Sequence, residues 1–100
     1  MAHPSISEAC VVGLEDQQYG EVVGCFLRRT VGAGKLPDET VRQWVTDTLG
    51  RMRAPKYVFW IGDSNVGSSL PKTGSGKIQK YLVRELGNKL LKEMGIKSKL

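Results

Sequence analysis

The sequence holds no apolar run approaching the roughly 20 residues that a membrane-spanning helix requires. Its opening, "MAHPSISEAC", has neither a basic end nor an apolar stretch, so no signal peptide is read there. Cysteine is scarce: Cys10 and Cys25 alone exclude a disulfide framework and any cysteine-rich metal spacing. A hairpin over residues 9–28, centred near Gln17 and Gln18, would make them cross-strand neighbours. They are expected to be free, half-buried thiols behaving as small apolar residues. The one histidine, His3, lacks the convergent partners of a metal site and is expected in a terminal loop. Internal repeats are absent too, and one hundred residues suffice for one small domain with a thin core.

Charge is unevenly spread. Residues 1–50 carry four Lys/Arg against seven Asp/Glu, a net −3, whereas residues 51–100 carry eleven against three, a net +8. The basic half would attract polyanions: a nucleotide, a phosphorylated cofactor, a nucleic acid or an anionic membrane.

The apolar patterning predicts five elements. "EACVVGLED" (8–16) and "GEVVGCFLRR" (20–29) are β-branched runs around a polar "QQY", which reads as two antiparallel strands. Glycine-rich "TVGAGKLP" (30–37) is a loop. From Pro37 to Leu49 the spacing turns helical, with Val41, Trp44, Val45, Thr48 and Leu49 on one face. Pro37 suits the first helical position, Asp38 and Glu39 the amino-terminal dipole, and Gly50 the position past the end. "KYVFWIG" (56–62) is a third strand, and "DSNVGSSLPKTGSG" (63–76) a long polar loop without regular structure. Ile78, Leu82, Leu86, Leu90 and Met94 then recur every four residues as an amphipathic helix, which Gly87 would weaken or bend. The order β-β-α-β-α implies an α+β fold, a small three-stranded sheet covered by two helices. Trp44 and Trp60 are read as core.

The segment "PKTGSGKIQK" (71–80) carries the chemistry. It is not a P-loop: the position five before Gly76 is Pro71, and Ile78 follows Lys77 where a magnesium-binding hydroxyl is required. The bland alternative is a mobile surface loop with exposed lysines. Against it, the loop is expected to run into a helix start, where free N–H groups favour anions, and Ile78 would anchor Lys77 on the core.

"LPKTGSGKIQKYLVRE" (70–85) resembles the closing motif of the adenylate-forming enzymes, the AMP-forming acyl-CoA synthetase branch in particular. "HPSISEACVVGLEDQQYGEVVGCFL" (3–27) is similar to that family's HP, EA, VVG and YGE stretch. "GRMRAPKYVFW" (50–60) resembles its YKxPxxVxF segment, with Met52 and Arg53 where tyrosine and lysine are usual. The collinear match covers about residues 3–86. It implies that residues 1–96 are the small carboxy-terminal lid domain of a longer synthetase, whose ATP- and acid-binding domain and preceding hinge are absent.

By the matched positions, Lys77 is the adenylation lysine, and Thr73, Gly74, Ser75 and Gly76 form the nucleotide-side loop that delivers it. Ser75 would cap the following helix. Arg51, Arg53 and Lys56 are assigned to the phosphates of CoA, against the alternative of solvated surface charges. Gly20 and Glu21 match the family but read equally as a strand start and its partner. The resemblance also implies ATP, Mg2+ and CoA as reactants of the whole enzyme, with Mg2+ held mainly outside this domain. Its expected partners are the enzyme's own amino-terminal domain, a carboxylic acid and, from the tail, a peroxisomal import receptor. Ser98-Lys99-Leu100, ending an exposed tail over 97–100, reads as a peroxisomal address, coherent with fatty-acid activation and with a native carboxy terminus. Two other readings stand beside this one. The first is the small subdomain of a carrier-protein-loading adenylation module, which tends to read NGKxDR where this chain has "SGKIQK". The second is a basic nucleic-acid module, disfavoured because the expected basic-plus-aromatic surface pattern is missing.

Overall fold

The run Gly24-Cys25-Phe26-Leu27 is buried on every residue, the signature of a strand covered on both faces. A computed structural model of the chain describes residues 3–51 and 54–95 and puts this run at the centre of a three-stranded sheet. The elements are β1 (Ile6–Asp16), β2 (Gly20–Arg29), α1 (Asp38–Leu49), β3 (Tyr57–Trp60) and α2 (Lys80–Glu93). The β-β-α-β-α order and the α+β class are therefore as read from the sequence. β2 pairs antiparallel with β1 from Asp16↔Gly20 to Ile6↔Arg29, with a register shift between Ile6 and Glu8. It pairs parallel with β3 over Gly24↔Tyr57 to Leu27↔Trp60.

Alternation along the strands sends two apolar sets to opposite faces. On one face Ile6, Cys25, Leu27 and Trp60 pack with Val41 and Val45 of α1. On the other, Cys10, Val12, Leu14, Phe26 and Phe59 pack with Val83, Leu90 and Leu91 of α2. The cysteines consequently face different cores. Cys10 pairs with Phe26 and Cys25 with Val11, so they are not directly opposed. Both are free and fully buried rather than half-buried.

Leu14 is the junction between sheet and α2. A β-carbon at Gly24 would lie 2.4 Å from its Cδ1, and one at Gly87 2.5 Å from its Cδ2. α2 continues through Gly87, whose missing side chain lets the helix close onto Leu14. The core face of α2 is Val83, Gly87, Leu90 and Leu91, flanked by Leu86, whereas Met94 is 54% exposed at the carboxy-terminal cap. In α1, Thr48 and Leu49 are exposed, leaving Val41 and Val45 as its buried residues. Pro37 precedes that helix as its N-cap, its carbonyl accepting the Val41 N–H at 3.1 Å. Trp60 is buried, while half-buried Trp44 meets the His3 ring edge-on at 5.4 Å.

Residues 62–70 are more ordered than a plain polar loop. Val66 and Leu70 are buried in the α2-side core. The Val66 and Gly67 N–H groups donate to the Asp63 carbonyl, and the Gly62 N–H donates to the Gly67 carbonyl at 2.7 Å. No helix among the described residues is long and apolar enough to cross a membrane.

Candidate functional site: a lysine hairpin

Residues 71–79 form a small hairpin, the main departure from the sequence reading. Lys72 and Ile78 form an antiparallel bridge, and the Gln79 N–H donates to the Pro71 carbonyl at 3.0 Å. Beyond the bridge, the Thr73 N–H donates to the Lys77 carbonyl at 2.8 Å and the Gly76 N–H to the Thr73 carbonyl at 2.9 Å. Gly74, Ser75 and Gly76 are the loop, and Gly76 at φ +87° takes the left-handed position that such three-residue connections need. The Thr73 hydroxyl accepts the Lys77 N–H at 3.2 Å and lies 2.9 Å from the Ser75 hydroxyl.

Ser75 is therefore engaged within the hairpin and does not cap α2. The helix begins at Lys80, with Gln79 as N-cap and no side-chain cap hydrogen bond. Lys77 accordingly stands in the hairpin's second strand rather than at a helix start. Ile78 points inward, partly buried against the α2-side core, as the anchor expected of it. Alternation then turns Lys77 outward into solvent, and no carboxylate pairs with it among the described residues. Nothing would meet a β-carbon at Gly74 or Gly76 within 4 Å, so the loop's backbone is open to approach.

The other lysine of the hairpin is held. Lys72 Nζ lies 2.9 Å from Glu8 Oε2, while Glu8 Oε1 pairs with Arg28 Nε at 3.0 Å. The hydrogen bond from Lys72 is the chief reason the Glu8 carboxyl is held below its ordinary range.

The cations assigned to CoA divide. Lys56 Nζ sits 3.5 Å from Asp16 Oδ1, 5.8 Å from the Tyr19 ring centre and 5.6 Å from that of Tyr57. Asp16 is buried and accepts the Gln18 and Tyr19 N–H groups at 3.0 and 2.9 Å, the latter bond chiefly depressing its pKa. Lys56, just before β3, thus reaches across to the β1–β2 turn. Arg51 is exposed just past α1, where Gly50 turns the chain at φ +95°. Arg53, Met52 and the tripeptide Ser98-Lys99-Leu100 lie outside the described residues. No hydrogen bond or ion pair joins Arg51 or Lys56 to the hairpin among the described residues. Gly20 takes φ +79° in the first turn, and Glu21 pairs with Arg84 at 3.4 Å while its carboxylate covers Gly13. Both therefore have structural roles.

Sequence reasoning did not find Glu8, Asp16 or Arg42. Arg42 donates to the Pro55 and Lys56 carbonyls at 2.9 and 3.0 Å, tying the 54–56 segment to α1. Each acts at a sequence separation or through a backbone partner that one-dimensional spacing does not reveal. Among the described residues no three His, Cys, Asp or Glu converge to hold a metal ion.

Residues 1–77 match the model of the AMP-binding enzyme C-terminal domain. The chain is 51% identical over 89 residues to an acyl-CoA ligase, cnsG, of Penicillium expansum, covering 89% of this chain and 18% of that protein. It is 37% identical over 94 residues to an acetyl-coenzyme A synthetase of Nitrosomonas europaea, covering 86% and 13%. Its fold superposes on an acyl-CoA synthetase of Brucella canis with a TM-score of 0.72 at 33% identity, over 88% of this chain and 16% of that one. The chain thus spans less than a fifth of the length of each of these relatives. It belongs to the AMP-binding enzyme C-terminal domain family, as the motifs over residues 3–86 indicated.

Proposed function

We propose that this chain is the carboxy-terminal domain of an AMP-forming acid–CoA ligase and that Lys77 is the cation it brings to adenylation. The observation that supports this most is the contrast within one side chain. The Lys77 backbone is fixed by hydrogen bonds to Thr73, yet its ammonium is exposed with no carboxylate partner among the described residues. In such a ligase a carboxylate attacks the α-phosphate of ATP, giving acyl-adenylate and pyrophosphate, and the CoA thiol then displaces AMP. The first step forces two anions together. A positioned ammonium offsets that repulsion and holds the pair in line, which is orientational and electrostatic catalysis rather than proton transfer. The open glycine backbone on either side of Ser75 suits close approach by a phosphate.

ATP, the acid and Mg2+ would be held mainly by an amino-terminal domain of the same polypeptide. Domain movement would then withdraw Lys77 and admit the thiol. Of the cations assigned to CoA, exposed Arg51 is better placed to meet a phosphate than Lys56, which Asp16 and two tyrosines already hold. A fatty acid is the proposed substrate class. Where Ser98-Lys99-Leu100 stands at a free carboxy terminus, it would address the enzyme to peroxisomes through the import receptor.

The test uses the ligase that carries this chain. ATP- and acid-dependent pyrophosphate release followed by a thioester on free CoA supports the reading. Loading of a carrier protein but not CoA favours an adenylation module instead. The hundred residues alone should release no pyrophosphate, and release would overturn the need for a second domain. A fluorescent protein fused ahead of the chain should enter peroxisomes and lose that location when Leu100 is removed.

A further inference from the structure

Besides its Ile78 anchor in the core, the hairpin carrying Lys77 is tied to β1 by one carboxylate. Glu8, in β1, has a side chain only 18% exposed and divides its oxygens between two elements. Oε2 holds Lys72 at the hairpin's base at 2.9 Å, and Oε1 holds Arg28 of β2 at 3.0 Å. Arg28 in turn donates through Nη2 to the Ser68 carbonyl at 2.9 Å, fixing the segment that leads into the hairpin. The register shift in β1 lies between Ile6 and Glu8, opposite Arg29 and Arg28, at the end of the strand where these cations gather.

We propose that Glu8 is a positioning residue for adenylation, acting through Lys72 and Arg28 to set the direction in which Lys77 is presented. The physical reason is leverage. Lys72 sits five residues before Lys77 on the opposite strand of the same hairpin, and its backbone bridges Ile78, the neighbour of Lys77. Freeing Lys72 lets the hairpin pivot on Ile78 without unfolding the domain. A displacement of about 1 Å at a reacting centre can cost roughly a hundredfold in rate, so even a small pivot registers. Charge-assisted bonds of this kind are among the stronger polar contacts, and Glu8 makes two. The inference rests on the reading of Lys77 given above.

The experiment measures both half-reactions in the ligase carrying this chain, in variants Glu8→Gln, Lys72→Met, Lys72→Arg and the double Glu8→Gln/Lys72→Met. Adenylation should slow about tenfold in each of the first two, as the loss of one charge-assisted bond implies. Thioester formation from supplied acyl-adenylate should stay within about twofold, and Lys72→Arg should recover most of the rate. The double variant should be no slower than Glu8→Gln, because both changes remove one linkage. Equal slowing of both half-reactions, or losses that multiply in the double variant, overturns the proposal. Should Glu8→Gln fail to fold, the Lys72 pair, at a more exposed position, tests the same linkage from its other end. Lys77→Ala run in parallel separates the two claims. A selective loss there with none in Glu8→Gln or Lys72→Met removes the positioning role alone, and no selective loss in Lys77→Ala removes both.

Discussion

Between β1 and β2 the chain reverses over Gln17-Gln18-Tyr19 and closes on Gly20 at φ +79°. Between Pro71 and Gln79 it reverses over Gly74-Ser75-Gly76, with Gly76 at φ +87°. Each turn is braced by a side-chain oxygen accepting backbone N–H groups, Asp16 in the first and Thr73 in the second. Each also has a lysine beside it, and here they diverge. The first hairpin ties Lys56 to Asp16 and sets it over the Tyr19 and Tyr57 rings. The second leaves Lys77 in solvent and makes its ionic contact through Lys72 instead. A half-exposed cation seated beside a carboxylate and two rings contributes to the frame. A cation on a hydrogen-bonded base, with no ionic partner among the described residues, is free to meet a substrate.

Both hairpins depend on one core, and that dependence gives the largest expected effect. Leu14, buried between Gly24 and Gly87, holds the sheet to α2. Leu14→Ala should cost about 3 kcal/mol in a denaturant titration, reading as loss of the whole domain rather than of either turn. A loss under about 1 kcal/mol would mean that the site collapses easily and that Leu14 is not the junction.

The turns themselves allow a sharper comparison. Nothing would meet a β-carbon at Gly20 or Gly76, so alanine at either meets only the backbone strain of its left-handed conformation. Gly20→Ala and Gly76→Ala should each cost about 1 kcal/mol of stability. In the ligase, Gly76→Ala alone should slow adenylation. Equal kinetic effects from the two would erase the distinction drawn between the hairpins.

Acid should reveal the carboxylates that brace them. Asp16 and Glu8 are both held below their ordinary values of 3.8 and 4.5. The unfolded chain therefore binds their protons more readily. The stability they contribute is present above about pH 5 and is lost as the pH falls below those values and through the lower ones of the folded state. Asp16→Asn should flatten the acid side of the stability–pH profile, measured by denaturant titration between pH 3 and 7. A profile as steep as the parent's would show that the Asp16 carboxylate contributes nothing to the first turn.

The smallest effect concerns the thiols. Burial pushes the Cys25 thiol up to about 12 and raises that of Cys10, on the other face of the sheet. Neither should react with a thiol reagent at pH 8 while the domain is folded, and mild oxidation should not join them. Rapid labelling of either would place it nearer the surface than the fold allows.

Much of this architecture was legible one residue at a time. The apolar run of β2 announced a strand, though not that it is the central one, and the helical spacing from Pro37 announced α1. What failed did so for geometric reasons. Residues spaced four apart advance 400° on a helix with 100° per residue, so the series Ile78, Leu82, Leu86, Leu90, Met94 drifts 40° at each step. Its Met94 end leaves the core face, which Val83, Gly87 and Leu91 share with Leu90, and Ile78 precedes the helix altogether. The lysine hairpin was hidden because Gly, Ser and Thr mark a turn without saying what flanks it. Ile78, apolar and next to a helix, looked helical although it closes an extended pair with Lys72. The family motif located Lys77, but spacing alone offered no sign of Glu8, because it meets Lys72 across 64 positions of chain.

The most direct measurement is the adenylation rate of the ligase bearing this chain with Lys77→Ala set beside Lys56→Ala. Lys77→Ala should fall about a hundredfold or more, in the range of other lost transition-state contacts, while thioester formation from supplied acyl-adenylate changes little. Lys56→Ala should stay within about threefold, reflecting a surface-held cation that is part of the frame. Adenylation slowed as much by Lys56→Ala as by Lys77→Ala, or both half-reactions slowed alike by Lys77→Ala, would contradict the role given to Lys77.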